Sequence, residues 1–439
     1  MKKESIQSLL CPKTVAVIGV SQKQGSLGKG IYENIVENQF SGEIFAINPN
    51  IQKIEGVKVY PDLLKVPKEV DLVIVCVPQK FVAPVLDQCG KKGVKAVVLI
   101  TAGYSELGVV GKDLERKIME RCQLYSMRIL GPNCMGIINT DPEISLNASF
   151  SPVFPPKGNV ALISQSGSLG QSILDYASSL GIGLSHFVSI GNRMDLKEED
   201  FLNFLMEDKN TEVILFYLED ISNQNEFLLA LKKIQKIKPM IALKCGIENN
   251  FFFKETGIQV IDTLDELFGL ASLMSSQPRP KGNRLGILTN AGGPAHLAKE
   301  KAIKKNFVLP SLTCESLNQL KEFLPKEAIL TNPLDMLPTV TPKQYAKAFE
   351  ILYQQKNIDS ILAIFVPPVN REPSDFMKAL VDSARKCGNS KPILTNFLMS
   401  SGRRKLLGTF FEKKLPIFSF PEQAIDALTL FSFQNVPKK

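Results

Sequence analysis

Short apolar runs alternate with amphipathic segments along almost the whole chain. Three of the apolar runs cover residues 70–78, 96–101 and 127–131. Runs of this length, bounded by glycine or proline, are typical of parallel strands that are buried on both faces and connected by helices. The pattern therefore predicts an α/β protein with doubly wound parallel sheets.

Three other apolar runs lead directly into a glycine-rich turn and then into a helical pattern, at residues 14–28, 160–170 and 285–294. A strand, a tight turn and a helix N-terminus together form an anion site, because the first N–H groups of the helix are unpaired and its dipole is positive there. One such unit indicates a phosphate or nucleotide binder. Three units in one chain favour an enzyme, or the descendant of one, that handles several phosphoryl groups.

The length of 439 residues is too great for one hydrophobic core. Two segments rich in proline and glycine, at 149–158 and 275–282, have no periodicity and are typical of linkers. They predict domains at 1–150, 151–278 and 279–439, each opening with one of the three units. The expected fold is three consecutive Rossmann-like or flavodoxin-like parallel-sheet domains.

Composition narrows the class of protein further. The chain is 44% hydrophobic and 22% charged with a formal charge of +8, and no basic run with interleaved aromatic residues favours nucleic-acid binding. No apolar window is long enough for a membrane span. The eight cysteines include no C-x-x-C pair, so we expect reduced thiols in a cytoplasmic protein without a metal site.

The first glycine turn does not favour NAD. Its glycines, Gly19, Gly25 and Gly28, do not form a clean G-x-G-x-x-G pattern. The second strand of an NAD-binding domain normally ends in a carboxylate that holds the ribose, whereas this chain has Asn48-Pro49 there. A dehydrogenase is therefore the weakest of the three hypotheses that we keep.

Further loops at predicted strand ends carry a family resemblance. In chain order they are Gly25-Ser-Leu-Gly28, Asn48-Pro49, Val77-Pro78, Thr101-Ala-Gly103-Tyr-Ser-Glu106 and Gly131-Pro-Asn-Cys-Met-Gly136. This order resembles the CoA-binding domain of the nucleoside-diphosphate-forming acyl-CoA ligases, the superfamily of ADP-forming acetate–CoA ligase and succinyl-CoA synthetase α subunits. The resemblance implies CoA contacts at Ser21, Gly25, Ser26, Gly28, Asn48, Pro49, Val77, Pro78, Thr101, Ala102, Gly103, Asn133 and Cys134.

Later motifs continue the same resemblance through the rest of the chain. They are Gln165-Ser-Gly-Ser168, Ser189-Ile-Gly-Asn192, Tyr217-Leu-Glu219, Ala242-Leu-Lys-Cys-Gly246, Thr289-Asn-Ala-Gly-Gly-Pro294 and Asn332-Pro-Leu-Asp335. The resemblance implies that phosphate attacks an acyl-CoA thioester, and that a histidine then carries the phosphoryl group to ADP on an ATP-grasp domain. It places the phosphate at Gln165, Ser166, Gly167 and Ser168, and it makes Glu219 the carboxylate that steadies the phosphohistidine.

The carrier histidine is missing from its expected place. The chain has only two histidines, His186 in an apolar run and His296 beside a predicted helix start. The family carries its phosphorylated histidine on a Ser-His-Thr-Gly loop after the stretch that corresponds to 242–246. In this chain residues 247–254 hold no histidine, so we expect the loop to have been shortened and the relay to be broken.

Two further hypotheses, from different classes, remain open beside the dehydrogenase. The first is an ADP-forming acyl-CoA ligase of the α-subunit type, with CoA or acyl-CoA as ligand. An ATP-grasp β subunit would then supply the ADP/ATP–Mg site, since no such module follows the third predicted domain. The second is a catalytically degraded CoA-binding sensor or scaffold. In both cases we expect an oligomer that binds neither nucleic acid nor membranes.

Overall fold

The computed structural model describes residues 2–221, 223–245, 253, 256–368, 372–398 and 415–432. Three sheets with flanking helices account for these residues, which confirms the predicted α/β class. The chain divides into two compact units, one built from 1–178 and 183–260 and the other from 179–182 and 261–435. None of the helices in the described ranges is long and apolar enough to cross a membrane.

The first sheet has seven strands in the order β3-β4-β2-β1-β5-β6-β7, and only the pair β3–β4 is antiparallel. Alternate residues of the central strand pack into different clusters, so both faces of the sheet are buried. The strands are β1 Thr14–Ile18, β2 Glu43–Ile47, β3 Lys53–Ile54, β4 Val57–Tyr60, β5 Leu72–Val75, β6 Ala96–Leu99 and β7 Arg128–Leu130. The helices of this part are α1 Lys2–Leu10, α2 Leu27–Glu37, α3 Val82–Lys92 and α4 Val109–Leu124.

The second sheet also has seven strands, in the order β14-β13-β12-β10-β11-β8-β9. Its centre is parallel, and an antiparallel pair, β8 and β9, extends it beside β11. The strands are β8 Gly136–Asn139, β9 Leu146–Ser149, β10 Lys157–Ser164, β11 Leu184–Ser189, β12 Val213–Leu218, β13 Met240–Lys244 and β14 Gln259–Ile261. Helices α5 Gly167–Ser179, α6 Glu198–Glu207 and α7 Gln224–Ile234 connect them.

The third sheet has six strands in the order β16-β17-β15-β18-β19-β20, parallel except for the short pair β16–β17. The strands are β15 Leu285–Thr289, β16 Ile329–Leu330, β17 Leu334–Asp335, β18 Ser360–Phe365, β19 Ile393–Phe397 and β20 Ile417–Phe418. In the described part of the second unit the helices are α8 Leu264–Ser276, α9 Gly292–Lys304, α10 Cys314–Lys321, α11 Pro342–Gln354, α12 Pro373–Cys387 and α13 Pro421–Ser432.

Strand order fixes where a ligand crevice can form in the first unit. In the first sheet the chain moves from β1 outwards in one direction and then returns to β5 on its other side. In the second sheet β10 lies between β11 and β12, both parallel to it. Loops that leave such switch points at the carboxyl ends of parallel strands splay apart, and the space between them is where ligands bind.

Candidate functional site

A cavity of about 980 Å³ opens in the first unit between loops that follow strands of both its sheets. The first sheet contributes the loops after β5, β6 and β7. The second sheet contributes the loops after β10, β11 and β12. The predicted site residues that line it are Val77, Pro78, Thr101, Ala102, Asn133, Cys134, Gln165, Ser166, Gly167, Ser168 and Glu219. The structure therefore brings the predicted phosphate turn and part of the predicted CoA loops into one space.

The predicted phosphate turn is a helix N-terminus. Helix α5 begins at Gly167, directly after the Ser166 hydroxyl, which accepts the backbone N–H of Leu169 at 3.3 Å. The Ser164 hydroxyl donates to the carbonyl of Ser166 at 2.8 Å and holds the turn at the end of β10. The first N–H groups of a helix have no carbonyl partner within it, and Gly167 and Ser168 line the cavity, which makes this helix start a candidate donor set for an anion.

The Gln165 side chain ties this turn to the loop after β12. Its oxygen accepts the backbone N–H groups of Glu219 at 2.6 Å and Asp220 at 3.1 Å. Its nitrogen donates to the Asp220 carbonyl at 2.8 Å and also to the carboxylate of Glu198. Every hydrogen-bonding position of the amide is therefore used within the protein. Gln165 is a positioning residue for the loop that carries Glu219, and it has no free group for phosphate.

Glu219 follows β12 directly, and its side chain is exposed. Tyr217, two residues earlier, is buried at the end of that strand. Burial raises the pKa of Tyr217 to about 12, and the charges of Glu219 and Cys245 add to the effect. The phenol therefore stays protonated near neutral pH, and the carboxylates that this loop offers to the cavity are those of Glu219 and Asp220.

Arg193 lines the cavity and was missed by the sequence prediction. It follows the motif Ser189-Ile-Gly-Asn192 at the end of β11, and this position beside β10, which leads into the predicted phosphate turn, was the available signal. Its guanidinium donates to Glu198 at 3.5 Å, to the Asp220 carbonyl at 3.4 Å and to the Asp220 carboxylate. Arg193 is the only basic side chain in the lining of the cavity, as far as the structure describes it.

Asparagines connect the loops of the two sheets across the cavity. The side-chain nitrogen of Asn192 donates to Glu106 at 2.6 Å and to Glu115 at 3.0 Å. The side-chain oxygen of Asn192 accepts a hydrogen bond from Asn133 at 3.3 Å. Burial opposes ionisation of Glu106, but hydrogen bonds from Asn192 and from the backbone of Gly103 outweigh it, so the pKa of Glu106 is lowered. Glu106 therefore places a negative charge in the cavity.

The loops of the first sheet contribute backbone and small side chains to the cavity. Thr101 donates its hydroxyl to the carbonyl of Val77 at 2.7 Å and joins the loops after β5 and β6. Cys134 is buried, and burial raises the pKa of its thiol to about 12. A thiol in this state is a poor nucleophile, so Cys134 shapes the wall rather than supplying chemistry.

The other predicted CoA contacts do not line the cavity. Several have local structural roles: Ser21 accepts the N–H of Lys23 at 3.1 Å, Ser26 caps α2, and the Asn48 amide donates to the Val20 carbonyl at 2.6 Å. These contacts hold the first glycine turn in place. The predicted CoA contacts outside the lining are Ser21, Gly25, Ser26, Gly28, Asn48, Pro49 and Gly103. Their contact with CoA stays a prediction.

Two glycines of the first turn meet different constraints. A Cβ atom on Gly28 would lie 2.2 Å from the carbonyl oxygen of Gly19, so α2 can approach the end of β1 only with glycine at this position. Gly25 has open space around it, but its φ of +77° lies in the left-handed region. Gly28 therefore serves packing, whereas Gly25 serves the shape of the turn.

Neither histidine lines the cavity. His186 lies within β11 at 3% exposure, with its Nε2 atom 3.0 Å from the carboxylate of Asp208. His296 is exposed on α9, which belongs to the second unit. The predicted shortened loop at 247–254 lies outside the described residues, except for Phe253.

Comparison with known proteins agrees with this architecture. Residues 13–140 match the model of a CoA binding domain, and residues 157–251 match a succinyl-CoA ligase like flavodoxin domain. The α subunit of acetate–CoA ligase [ADP-forming] II from Pyrococcus furiosus is 36% identical and is aligned over 95% of both chains. An ADP-forming acetate–CoA ligase from Methanocaldococcus jannaschii is 38% identical over 95% of this chain and 62% of its own length.

Two solved structures share the fold of this chain over almost its whole length. A Pyrococcus horikoshii OT3 protein has a TM-score of 0.90 at 35% identity, covering 97% of this chain and 98% of its own. A dinucleotide forming acetyl-coenzyme A synthetase 1 from Ca. Korarchaeum cryptofilum, solved with phosphate and ADP, has a TM-score of 0.87 at 31% identity. It covers 98% of this chain and 96% of its own.

Fold, cavity and matched domains together define an acyl-CoA ligase type of protein with a CoA-binding domain joined to a succinyl-CoA ligase-like domain. The chain belongs to the family of ADP-forming acetate–CoA ligases and is similar to their α subunits. The resemblance expected from the sequence motifs is thereby confirmed.

Proposed function

We propose that the first unit binds CoA or acyl-CoA together with inorganic phosphate in its cavity and interconverts acyl-CoA and acyl phosphate. The observation that carries this proposal is that the α5 N-terminus and the loops of the CoA binding domain line one space. An anion held at the helix start would share the cavity with the thioester end of a CoA bound along the first sheet.

The proposed step balances without a redox partner. An oxygen of phosphate attacks the carbonyl carbon of the thioester, a carbon–oxygen bond forms, and the carbon–sulfur bond breaks. The sulfur leaves as a thiolate and takes a proton to give CoA. The N–H groups at the start of α5 would orient the phosphate and offset its charge, while Gln165 would keep the Glu219 loop beside it.

Synthesis of ATP would need more than this cavity. The names of the relatives, which are ADP-forming ligases and α subunits of such ligases, support a partner subunit and the use of ADP. The partner implied by the resemblance in the sequence motifs would provide ADP/ATP–Mg on an ATP-grasp fold. The carrier would be a histidine in this family, and both histidines of this chain are elsewhere. We therefore assign the acyl-transfer half-reaction to this chain and leave phosphoryl transfer out of the proposal.

The placement of the histidines favours a second candidate function. A protein that kept the CoA site but lost the phosphoryl carrier would act as a sensor of acyl-CoA or as a scaffold for a partner. The two candidates differ in turnover, because only the first forms a new thioester.

The deciding experiment mixes the intact chain with acetyl phosphate and CoA and follows acetyl-CoA by mass spectrometry. Acetyl-CoA well above a no-protein control supports the half-reaction. Absence of product, in a sample where CoA binding is measured directly, supports the sensor or scaffold. A chain that binds neither CoA nor acetyl-CoA contradicts both candidates.

A further inference from the structure

The side chains that line the cavity carry more negative than positive charge, which disfavours an anion unless one carboxylate moves away. The carboxylates of Glu106, Glu219 and Asp220 face it, against the single guanidinium of Arg193. A phosphate dianion would meet net negative charge there, and the helix N-terminus supplies only partial positive charge. A phosphate site in this cavity therefore needs the full positive charge of Arg193.

Arg193 is held by two carboxylates in very different surroundings. The side chain of Glu198 is 5% exposed and also accepts from Gln165, so it is a fixed anchor. The side chain of Asp220 is 68% exposed, whereas that of Arg193 is 13% exposed. An ion pair with one partner in solvent contributes little to stability. The carboxylate of Asp220 can therefore leave Arg193 at small cost while Glu198 keeps the guanidinium in place.

The backbone around Arg193 is fixed in an uncommon conformation. Its φ of +56° lies in the left-handed region, which a non-glycine residue adopts only when its surroundings enforce it. The flanking N–H groups of Asn192 and Met194 donate to the carbonyls of Pro132 at 2.9 Å and Gly131 at 3.2 Å. The loop is thus tied to the first sheet, and the arginine is presented to the cavity at the cost of backbone strain.

We infer that Arg193 is the phosphate-binding cation of this site and that an entering phosphate replaces the carboxylate of Asp220 on its guanidinium. This inference rests on the proposed function and names the residue that makes the phosphate half of the site work. The loops that carry Arg193, the α5 N-terminus and Asp220 follow the adjacent parallel strands β11, β10 and β12. Asp220 then acts as a charge that occupies the guanidinium until phosphate arrives.

The test measures binding of inorganic phosphate to the full chain by calorimetry, with CoA binding measured in parallel. R193M should weaken phosphate binding at least about tenfold, because charge-assisted hydrogen bonds are lost. D220N should tighten it about threefold or more, since the competing carboxylate is removed. Both variants should keep the CoA affinity of the wild type. R116M is the matched control: it removes the same charge from the exposed face of α4 and should change neither affinity.

If phosphate affinity falls in R193M and rises in D220N, Arg193 binds phosphate rather than only supporting the structure. A merely structural ion pair predicts that R193M and D220N weaken phosphate binding alike, and that result overturns the inference, as does an unchanged affinity in R193M. Because R193M leaves Glu198 buried beside Gln165 alone, the double variant R193M/E198Q is measured if R193M does not fold. Wild-type chain that binds CoA but no phosphate overturns the inference and the phosphate half of the proposed function together.

Discussion

The side-chain oxygen of Gln165 accepts the backbone N–H of Glu219 at 2.6 Å, joining loops that are 54 residues apart in the chain. The same side chain also binds Asp220 and Glu198. One amide thus fixes the relative position of the α5 N-terminus and of the carboxylate loop. The shape of the proposed phosphate site depends on this residue, although its side chain has no group left for phosphate.

Replacing Gln165 with leucine should therefore damage both stability and turnover. Q165L leaves the N–H groups of Glu219 and Asp220 unpaired beside buried protein, and we expect a loss of about 2–4 kcal/mol in the free energy of unfolding. Acyl transfer from acetyl phosphate to CoA should fall at least about tenfold in the fraction that is folded. The same change at the exposed Gln171 of α5 is the control; equal behaviour of Q165L and Q171L would contradict the assigned role.

Three glycines in one short stretch should respond differently to alanine. G28A places a Cβ 2.2 Å from the Gly19 carbonyl oxygen, so we expect a loss of about 1–3 kcal/mol in stability and weaker CoA binding. G25A meets no atom but keeps a positive φ, which costs about 1–2 kcal/mol. Gly30 lies inside α2 with open space, so G30A should be neutral or should stabilise by about 0.5–1 kcal/mol. Chemical denaturation measures the stability of the three variants, and titration with CoA measures their affinity.

The Asp208–His186 contact should make stability depend on pH in acid. Burial opposes ionisation of Asp208, but hydrogen bonds from His186 and Thr211 outweigh it and lower its pKa from 3.8 to about 2. A depressed pKa in the folded state means that ionised Asp208 stabilises the fold above pH 3.8, and that this contribution is lost as the pH falls towards 2.

D208N removes that contribution at every pH. We expect the variant to be about 1–3 kcal/mol less stable than the wild type at pH 7, and the difference to shrink steadily between pH 4 and pH 2. Urea unfolding across this range measures it, and the exposed Asp175 of α5 provides D175N as a control. A difference between D208N and wild type that does not vary with pH would show that the carboxylate's charge is not the stabilising factor.

The histidines should take no part in the proposed half-reaction. H296Q should transfer acyl groups at the wild-type rate, and H186Q should do so after correction for any loss of folded protein. Incubation of the wild-type chain with acyl-CoA, labelled phosphate and an ATP-grasp partner should leave no acid-labile label on it. A label that disappears in either histidine variant would identify a working phosphoryl carrier and would restore the full ligase reaction to this chain.

The sequence was a good guide to strands and to the order of loops, because burial on both faces leaves a strong apolar signal. It predicted that residues 160–170 form a strand and a helix start, and β10 and α5 lie there. It did not indicate that β8 and β9 would extend the second sheet, since their partner β11 is fixed by tertiary packing rather than by a local pattern.

The hydrogen-bond partners of side chains were harder to predict from the sequence than the positions of helices and strands. The bonds of Arg193 to Asp220 span 27 residues, and nothing in the local sequence specifies that pairing. The amide of Asn48 holds the Val20 carbonyl, a contact that the local sequence did not specify, and the contact of Asn48 with CoA stays a prediction. Strand ends can be located from apolar runs, but which of their polar residues face a cavity and which hold the loop depends on contacts between distant segments.

The burial of His186 allows unfolding of this chain to be monitored by nuclear magnetic resonance of its histidine protons. Its imidazole lies edge-on to the ring of Phe204 with 5.5 Å between centroids, so ring currents should shift its proton signals away from those of the exposed His296. The two histidines belong to different compact units, and the chain has no others. Two resolved imidazole signals in one spectrum would therefore report the melting of each unit separately in the intact, unlabelled chain.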